Sequence, residues 1–494
     1  MRKSGILMHI SSLPSPYGIG TMGKAAREFV DFLYESGQSC WQLLPICPTS
    51  YGDSPYQSYS TFAGNPYFID LDILEEIGLL DKSDYENIDW ESEPDKINYG
   101  TLYQKRYSVL RKAAKRFLQN PPKEFGLFCV ENDSWLTDFA LFMTLKDVHG
   151  GAPWSEWDAP FRNHDAKTLE MVARVEEDNI LFWKAVQYLF FNQWSELKSY
   201  ANEKGISMIG DLPIYVSLDS VDVWAHPELF QLDEGKVPKE VAGVPPDGFS
   251  ADGQLWGNPL FDWEYMEENH FTWWVNRIKY LCEVYDTLRI DHFRGFDSYF
   301  AVPYGETTAR NGYWKQGPGM RLFEELERAI GKQPIIAEDL GYLTDSVRKL
   351  LKDSGFPGMK VMEFAFDSRD ASGSEYLPHN YIPNCVAYAG THDNDTILGW
   401  FAEANAEDTA YCREYLAISE GQEANWSMMC ALWSSVADLT IVQAQDILGL
   451  GSEARMNEPS TVGNNWRWRA VSGVFTKELA QKLRRKMKIY GRLP

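Results

Sequence analysis

The segment Leu322-Phe-Glu-Glu-Leu-Glu-Arg-Ala-Ile330-Gly331-Lys-Gln-Pro334-Ile-Ile-Ala337-Glu338-Asp339-Leu-Gly341 reads, in order, as a helix, a glycine stop, a β-type run and a pair of carboxylates. The same grammar follows at once: Leu343 to Ser354 as helix, Gly355 as stop, Met359 to Phe364 as strand. It also opens the chain, where a strand over Gly5 to Ile10 precedes a helix over Lys24 to Ser36 with Ala26, Phe29, Val30 and Leu33 on one face. Gly37 stops that helix, and Cys40 to Leu44 is the next strand. Repeated strand–helix steps of this kind predict an α/β architecture with parallel strands.

Strand-type segments near residues 5–10, 40–45, 206–211, 286–291, 334–338, 359–364, 385–390 and 439–444 make eight, the number of a closed (β/α)8 TIM barrel. A bare barrel needs about 250 residues, and this chain has 494. The excess predicts large inserted subdomains on a single barrel. One is a mostly helical and loop insertion over 46–205, including a helix over Tyr99 to Gln119; another lies at 212–285.

Composition narrows the function classes. With 47 basic and 71 acidic residues the net charge is −24, which repels phosphate and predicts neither a nucleic-acid nor an anionic-membrane partner. The apolar run Ile6-Leu7-Met8 stops at His9, too short for a signal peptide, and no later stretch approaches a membrane span. Seven scattered cysteines without a C-x-x-C pair fit a reduced, cytoplasmic protein.

Gly18-Ile-Gly20-Thr-Met-Gly23-Lys24 matches a dinucleotide fingerprint and most of a phosphate loop. Both motifs require glycines directly after a strand, yet Ser11 to Tyr17 intervene. Residue 25 is Ala where a magnesium-binding hydroxyl belongs, and the second strand ends at Leu44-Pro45 with no acid for a ribose. The preferred reading is a glycine-rich turn starting a helix, with nucleotide binding as the alternative from another function class.

Three β-type runs end in carboxylates: Leu288-Arg-Ile-Asp291-His292-Phe-Arg294, Ile335-Ile-Ala-Glu338-Asp339, and Val386-Ala-Tyr-Ala-Gly-Thr-His392-Asp393-Asn394-Asp395. All lie at C-terminal strand ends, the barrel face where catalytic groups gather. A charge beside an apolar strand needs a partner, and Arg289 shares a strand face with Asp291. Asp339 and Asp395 are weaker candidates, suited to capping a helix or holding a loop. His292 and His392 lack H-x-x-x-H spacing and read as hydrogen-bonding partners, with no catalytic metal.

Two carboxyl groups flanking a bond suit glycoside chemistry. Tyr56, Tyr59, Trp256, Trp466 and Trp468 stand in polar loops rich in Gly or Asn, where rings can stack on the apolar faces of sugars.

The chain resembles the 4-α-glucanotransferases, also called amylomaltases or disproportionating enzymes, of glycoside hydrolase family 77. Carriers of the resemblance are Ser54-Pro-Tyr56-Gln-Ser-Tyr59-Ser60, Gly210-Asp211-Leu-Pro213-Ile-Tyr215, Gly243-Val-Pro-Pro-Asp247, Trp256-Gly-Asn258-Pro259, Arg289-Ile-Asp291-His292-Phe-Arg294, Ala337-Glu338-Asp339-Leu-Gly341 and Thr391-His392-Asp393-Asn394-Asp395. The resemblance implies a retaining transfer of α-1,4-glucan segments between malto-oligosaccharides, without cofactor, and no C-terminal β-sandwich domain. It implies Asp291 as nucleophile, Glu338 as general acid/base and Asp393 as transition-state stabiliser. Arg289 and His392 would orient them, and Asp211 with Arg289 would hold the site together. The Gly243 to Trp256 stretch would cover the donor sugar, Tyr59 would line the acceptor side, and Arg455-Met456-Asn457 would add a sugar contact through Asn457. An α-glucan hydrolase on the same fold is the nearest alternative; non-catalytic glucan binding would require a lost carboxylate, and all three are present.

Overall fold

The computed structural model describes residues 2–90, 93–246, 250–341, 343–368 and 373–494. Among them the chain forms strands β1 (Lys3–Leu7), β2 (Cys40–Gln42), β3 (Ser207–Leu212), β4 (Glu240–Val244), β5 (Gln254–Pro259), β6 (Thr287–Ile290), β7 (Ser298–Pro303), β8 (Tyr313–Gln316), β9 (Ile335–Ala337), β10 (Gly358–Val361), β11 (Cys385–Tyr388) and β12 (Leu439–Gln443). Eight close into a parallel barrel in the order β1-β12-β11-β10-β9-β6-β3-β2. Each overlaps a segment where the sequence predicts a strand. The ring is sealed by β1 against β12, from Lys3 beside Leu439 to Leu7 beside Gln443. Arg492, fully buried, fastens the seam by donating to the carbonyls of Lys3, Trp433, Ser435 and Ala437.

The helices follow their sequence signals closely. Lys24–Ser36 ends on Gly37 and Asp345–Ser354 on Gly355, both left-handed, where glycine carries no Cβ penalty. Between β2 and β3 the helices Tyr99–Phe117, Asp133–Val148 and Glu177–Glu203 pack through aromatic contacts such as Phe139 on Trp183. The last has 27 residues and so spans about 40 Å. Its buried Gln187 and Gln193 each accept from and donate to one backbone unit, Gly64 and Asp70 respectively. Those four bonds tie the long helix to the chain leaving β2, the stretch that carries Tyr56 and Tyr59.

A second sheet, antiparallel and ordered β5-β4-β7-β8, stands beside the barrel. It is assembled from both sides of β6, with its own small core of Val241, Phe300, Val302 and Ala309. The sequence reading contains β4 and β5 within 212–285 but has no expectation for β7 and β8.

The Gly18–Lys24 turn packs as the simpler reading predicts. Gly23 caps the Lys24–Ser36 helix with Asp70 against it: a Cβ there would lie 2.1 Å from Asp70 Oδ2. The Asp70 carboxylate accepts from Thr21 Oγ1 at 2.6 Å and from Ile73 N–H at 3.0 Å. A carboxylate packed against this turn opposes phosphate binding there electrostatically. All seven cysteines are free. Among the described residues no helix is long and apolar enough to cross a membrane, and no cluster of three or more His, Cys, Asp or Glu is placed to hold a metal.

Candidate active site

Parallel strands all end at one rim, so residues just past those ends converge. β6 delivers Asp291, β9 delivers Glu338, and the turn after β11 delivers Asp393. Deeper in the barrel, Asp211 on β3 is the direct register partner of Arg289 on β6. Gly210 makes that pairing possible, because a Cβ at this position would sit 2.2 Å from the Tyr285 ring.

Arg289 bridges two carboxylates. Its Nη1 donates to both Asp211 oxygens at 2.8 and 2.7 Å, and its Nη2 lies 3.0 Å from Asp291 Oδ1. The Asp211 side chain is 0 % exposed whereas that of Asp291 is 26 % exposed. Asp211 is therefore the counter-charge of a buried pair, and Asp291 is the carboxylate a ligand can reach. The Tyr56 hydroxyl completes the support, donating to Asp211 Oδ2 at 2.7 Å.

Among the described residues the hydrogen bonds to Glu338 come from the backbone: His292 N–H donates to Oε2 at 2.7 Å and Leu340 N–H to Oε1 at 2.6 Å. His292 adopts φ 53°, a left-handed backbone unusual for a side-chain-bearing residue. Its N–H meets Glu338 in that conformation while its ring meets Trp256 edge-on at 4.8 Å.

Asp393 accepts from Asn457 Nδ2 at 2.7 Å, and its other oxygen lies 3.5 Å from His392 Nε2. Arg455 braces the same corner, donating to the carbonyls of Asp393 and Asn457, both at 2.8 Å. The Tyr56 ring stacks on His392 at 5.2 Å and 11°, with Trp466 5.8 Å from Tyr56 and 5.9 Å from His392.

Burial pushes the Asp291 carboxyl well above the usual range against the pull of Arg289, helped by repulsion from Asp211, Glu338 and Asp393. Burial also raises Glu338, opposed by Arg289 and by its two backbone donors. His292 is pushed down to about 3 by burial and then by Arg294, and burial lowers His392 too. Both imidazoles are neutral near pH 7, and Arg289 is the cation pressed between Asp211 and Asp291.

The structure thus brings together Asp211, Trp256, Arg289, Asp291, Glu338, His392, Asp393 and Asn457. Tyr59 lies elsewhere, its ring under Lys146 Nζ at 4.9 Å and beside Phe142 at 6.3 Å. Tyr56, a loop aromatic in the sequence reading, is the tyrosine at the centre. Trp468 is buried, its carbonyl accepting from Ser12. Asp339 accepts from Met359 N–H at 2.6 Å and Asp395 from Ser452 Oγ at 2.6 Å, so both hold neighbouring segments. Asp247, within the stretch expected to cover a donor sugar, lies outside the described residues. Buried His9, just past β1 and electrostatically coupled to His392, carried no sequence signal.

A family model described as 4-alpha-glucanotransferase matches residues 8–473. The chain belongs to the 4-alpha-glucanotransferase family. It is 50% identical to a Clostridium butyricum protein of that name over 487 residues, covering 98% of this chain and 100% of the relative. A Streptococcus pneumoniae 4-alpha-glucanotransferase is 46% identical over 495 residues, with 100% and 98% covered. Among solved structures, the amylomaltase from Streptococcus agalactiae in complex with acarbose superposes with a TM-score of 0.97 at 44% identity, covering 100% of both chains.

Proposed function

We propose that this protein is a 4-alpha-glucanotransferase that moves α-1,4-glucan segments between malto-oligosaccharides, as donor and acceptor, in the cytoplasm. One observation carries the mechanism: Asp291 is gripped by Arg289 yet open to a ligand, and it stands beside a buried Glu338. Arg289, 3.0 Å from Asp291 Oδ1, favours the charged form of Asp291 against the burial that raises it, and Glu338, which burial also raises, carries the proton that the first step needs.

In the first step Glu338 gives its proton to the glycosidic oxygen as Asp291 attacks the anomeric carbon. The bond to the leaving chain breaks and a glucosyl ester forms. In the second step Glu338, now a carboxylate, takes the proton of an acceptor 4-hydroxyl, and the new bond to that oxygen releases Asp291. Asp393, held by Asn457, binds donor-sugar hydroxyls while charge develops at the anomeric carbon. Tyr56 and Asp211 keep Arg289, and through it Asp291, in place.

Transfer wins over hydrolysis when an acceptor hydroxyl is held in near-attack geometry, where effective concentrations reach about 10⁵ M against about 55 M for water. Incubated with maltotriose, the protein should release glucose and build longer chains while total reducing ends stay constant. A steady rise in reducing ends without longer products assigns it instead to α-glucan hydrolysis. Stabilisation against heat by ATP rather than by a malto-oligosaccharide would contradict both.

A further inference from the structure

Exposed aromatic side chains gather on the side sheet. Tyr304 is 52 %, Tyr313 49 % and Trp314 42 % exposed, the last two on the edge strand β8. Trp314 is mounted differently from a scattered surface residue. The Arg294 guanidinium lies 4.0 Å over its ring, and Phe300, its cross-strand partner, meets it edge-on at 5.2 Å. Arg294 is itself buried, three residues past Asp291 on the 3-10 turn Phe293–Phe296, within the field of Glu338. Asp297, next along that turn, accepts on its carbonyl from Gln316 Nε2 at 2.6 Å and from Gly317 N–H at 2.7 Å. The strand bearing Trp314 is thereby tied to the loop bearing the nucleophile, and β5 of the same sheet sets Trp256 against His292.

A ring packed against a cation on one face and against a phenylalanine has little freedom left to lose on binding. Its accessible surface suits an apolar sugar face, since stacking needs no charge and each glucose unit offers such a face. The net charge of the whole chain, −24, disfavours a polyanion.

We infer that Trp314 is an outlying stacking subsite for α-glucan, engaged by chains long enough to extend past the catalytic carboxylates and left empty by short ones. The inference rests on the proposed glucan transfer. It makes Trp314 a determinant of chain-length preference while the chemistry stays with Asp291 and Glu338.

Kinetics of Trp314→Ala and Trp314→Phe with maltotriose and with maltoheptaose test it. In the Ala variant KM for maltoheptaose should rise about 3- to 10-fold with kcat unchanged, and the maltotriose parameters should stay within about twofold. The Phe variant should recover most of the loss, which a merely structural defect would not predict. An equal loss on both substrates, or no loss on either, overturns the subsite. Calorimetric titration of maltoheptaose into Asp291→Asn, with and without Trp314→Ala, reads the platform without turnover: weaker binding supports it and equal binding refutes it. Failure of the wild type to disproportionate maltotriose would refute the transfer reading alone, because the titration does not depend on it.

Discussion

Asn457 Nδ2 donates to Asp393 Oδ1 at 2.7 Å, linking the segment after the last barrel strand to the carboxylate that follows β11. Asn457 N–H also donates to the carbonyl of His392 at 3.1 Å, so one residue positions both members of the His392-Asp393 pair. Chain that lies 64 residues downstream of Asp393 thus completes the rim.

That link predicts a catalytic defect without unfolding. A hydrogen bond to a charged acceptor contributes about 1.5–3 kcal/mol, so Asn457→Ala should lower kcat/KM for maltotriose disproportionation by roughly 10- to 100-fold. Asn457→Asp should be worse, since it sets like charges against each other. Melting temperatures near wild type would confirm that folding is intact. Activity within twofold in Asn457→Ala would refute the positioning role.

Arg289 should behave as a structural as well as a catalytic group. Removing one member of a buried ion pair leaves an uncompensated charge and costs about 3–5 kcal/mol, and here Asp211 would be stranded at 0 % exposure. Arg289→Met should therefore lose activity and stability together. Arg289→Lys should rescue neither fully, because one ammonium cannot reproduce the fork that serves Asp211 and Asp291. Urea denaturation showing Arg289→Met as stable as wild type would contradict the pairing.

What the sequence makes legible, and what it does not, follows from locality. The eight barrel strands are short apolar runs, and Asp291 and Glu338 stand out because a charge directly after such a run demands an explanation. Tyr56 and Tyr59 cannot be ranked the same way: both sit in one irregular loop without periodicity, and only the fold of that loop decides which ring reaches His392. Strands β7 and β8 escape notice because runs of only six and four residues, bounded by Pro303, Gly312 and Gly317, resemble turns. Glu363 falls inside the strand expected over 359–364, yet β10 ends at Val361 and a 3-10 turn sends Glu363 inward. Its neighbours Asp395 and Asp446 come from distant segments, so no spacing rule finds them.

Those buried carboxyls give a pH prediction. Burial, then Asp446 and Asp395, pushes Glu363 well up against the pull of Arg455, and burial raises Asp446 to about 7. Among the described residues Glu363 Oε1 and Asp446 Oδ2 have no hydrogen-bond partner, as expected of groups that favour the protonated form. The folded value of Asp446 lies above the unfolded value of about 3.9. The stability it contributes is therefore fully present below pH 4 and is lost as pH rises towards 7. Asp446→Asn keeps an acceptor for Ile397 N–H, which binds Oδ1 at 2.7 Å, and cannot ionise. Relative to wild type the variant should gain about 4 kcal/mol between pH 4 and pH 8. A stability difference that is flat across this range would show that Asp446 is not the group responsible.

The division of labour between the two catalytic carboxyls can be separated by choice of leaving group. With maltotriose, departure of the sugar chain needs the Glu338 proton, and Glu338→Gln should lose about 10²- to 10⁴-fold in kcat/KM. With α-maltosyl fluoride the leaving fluoride needs little acid assistance, so Asp291 should still attack and the ester should still form. Its opening by an acceptor hydroxyl then lacks a base, and the glycosyl group should accumulate on the Asp291 peptide, visible by mass spectrometry after rapid acid quench. Burial raises the Glu338 carboxyl, so wild-type activity on maltotriose should fall as pH climbs through that raised value and the proton is lost. Glu338→Gln acting on the fluoride should lack this alkaline limb, because no proton remains to be lost. An ester found on another residue, or ester formation from the fluoride as impaired as the maltotriose reaction, would reassign the nucleophile or the acid.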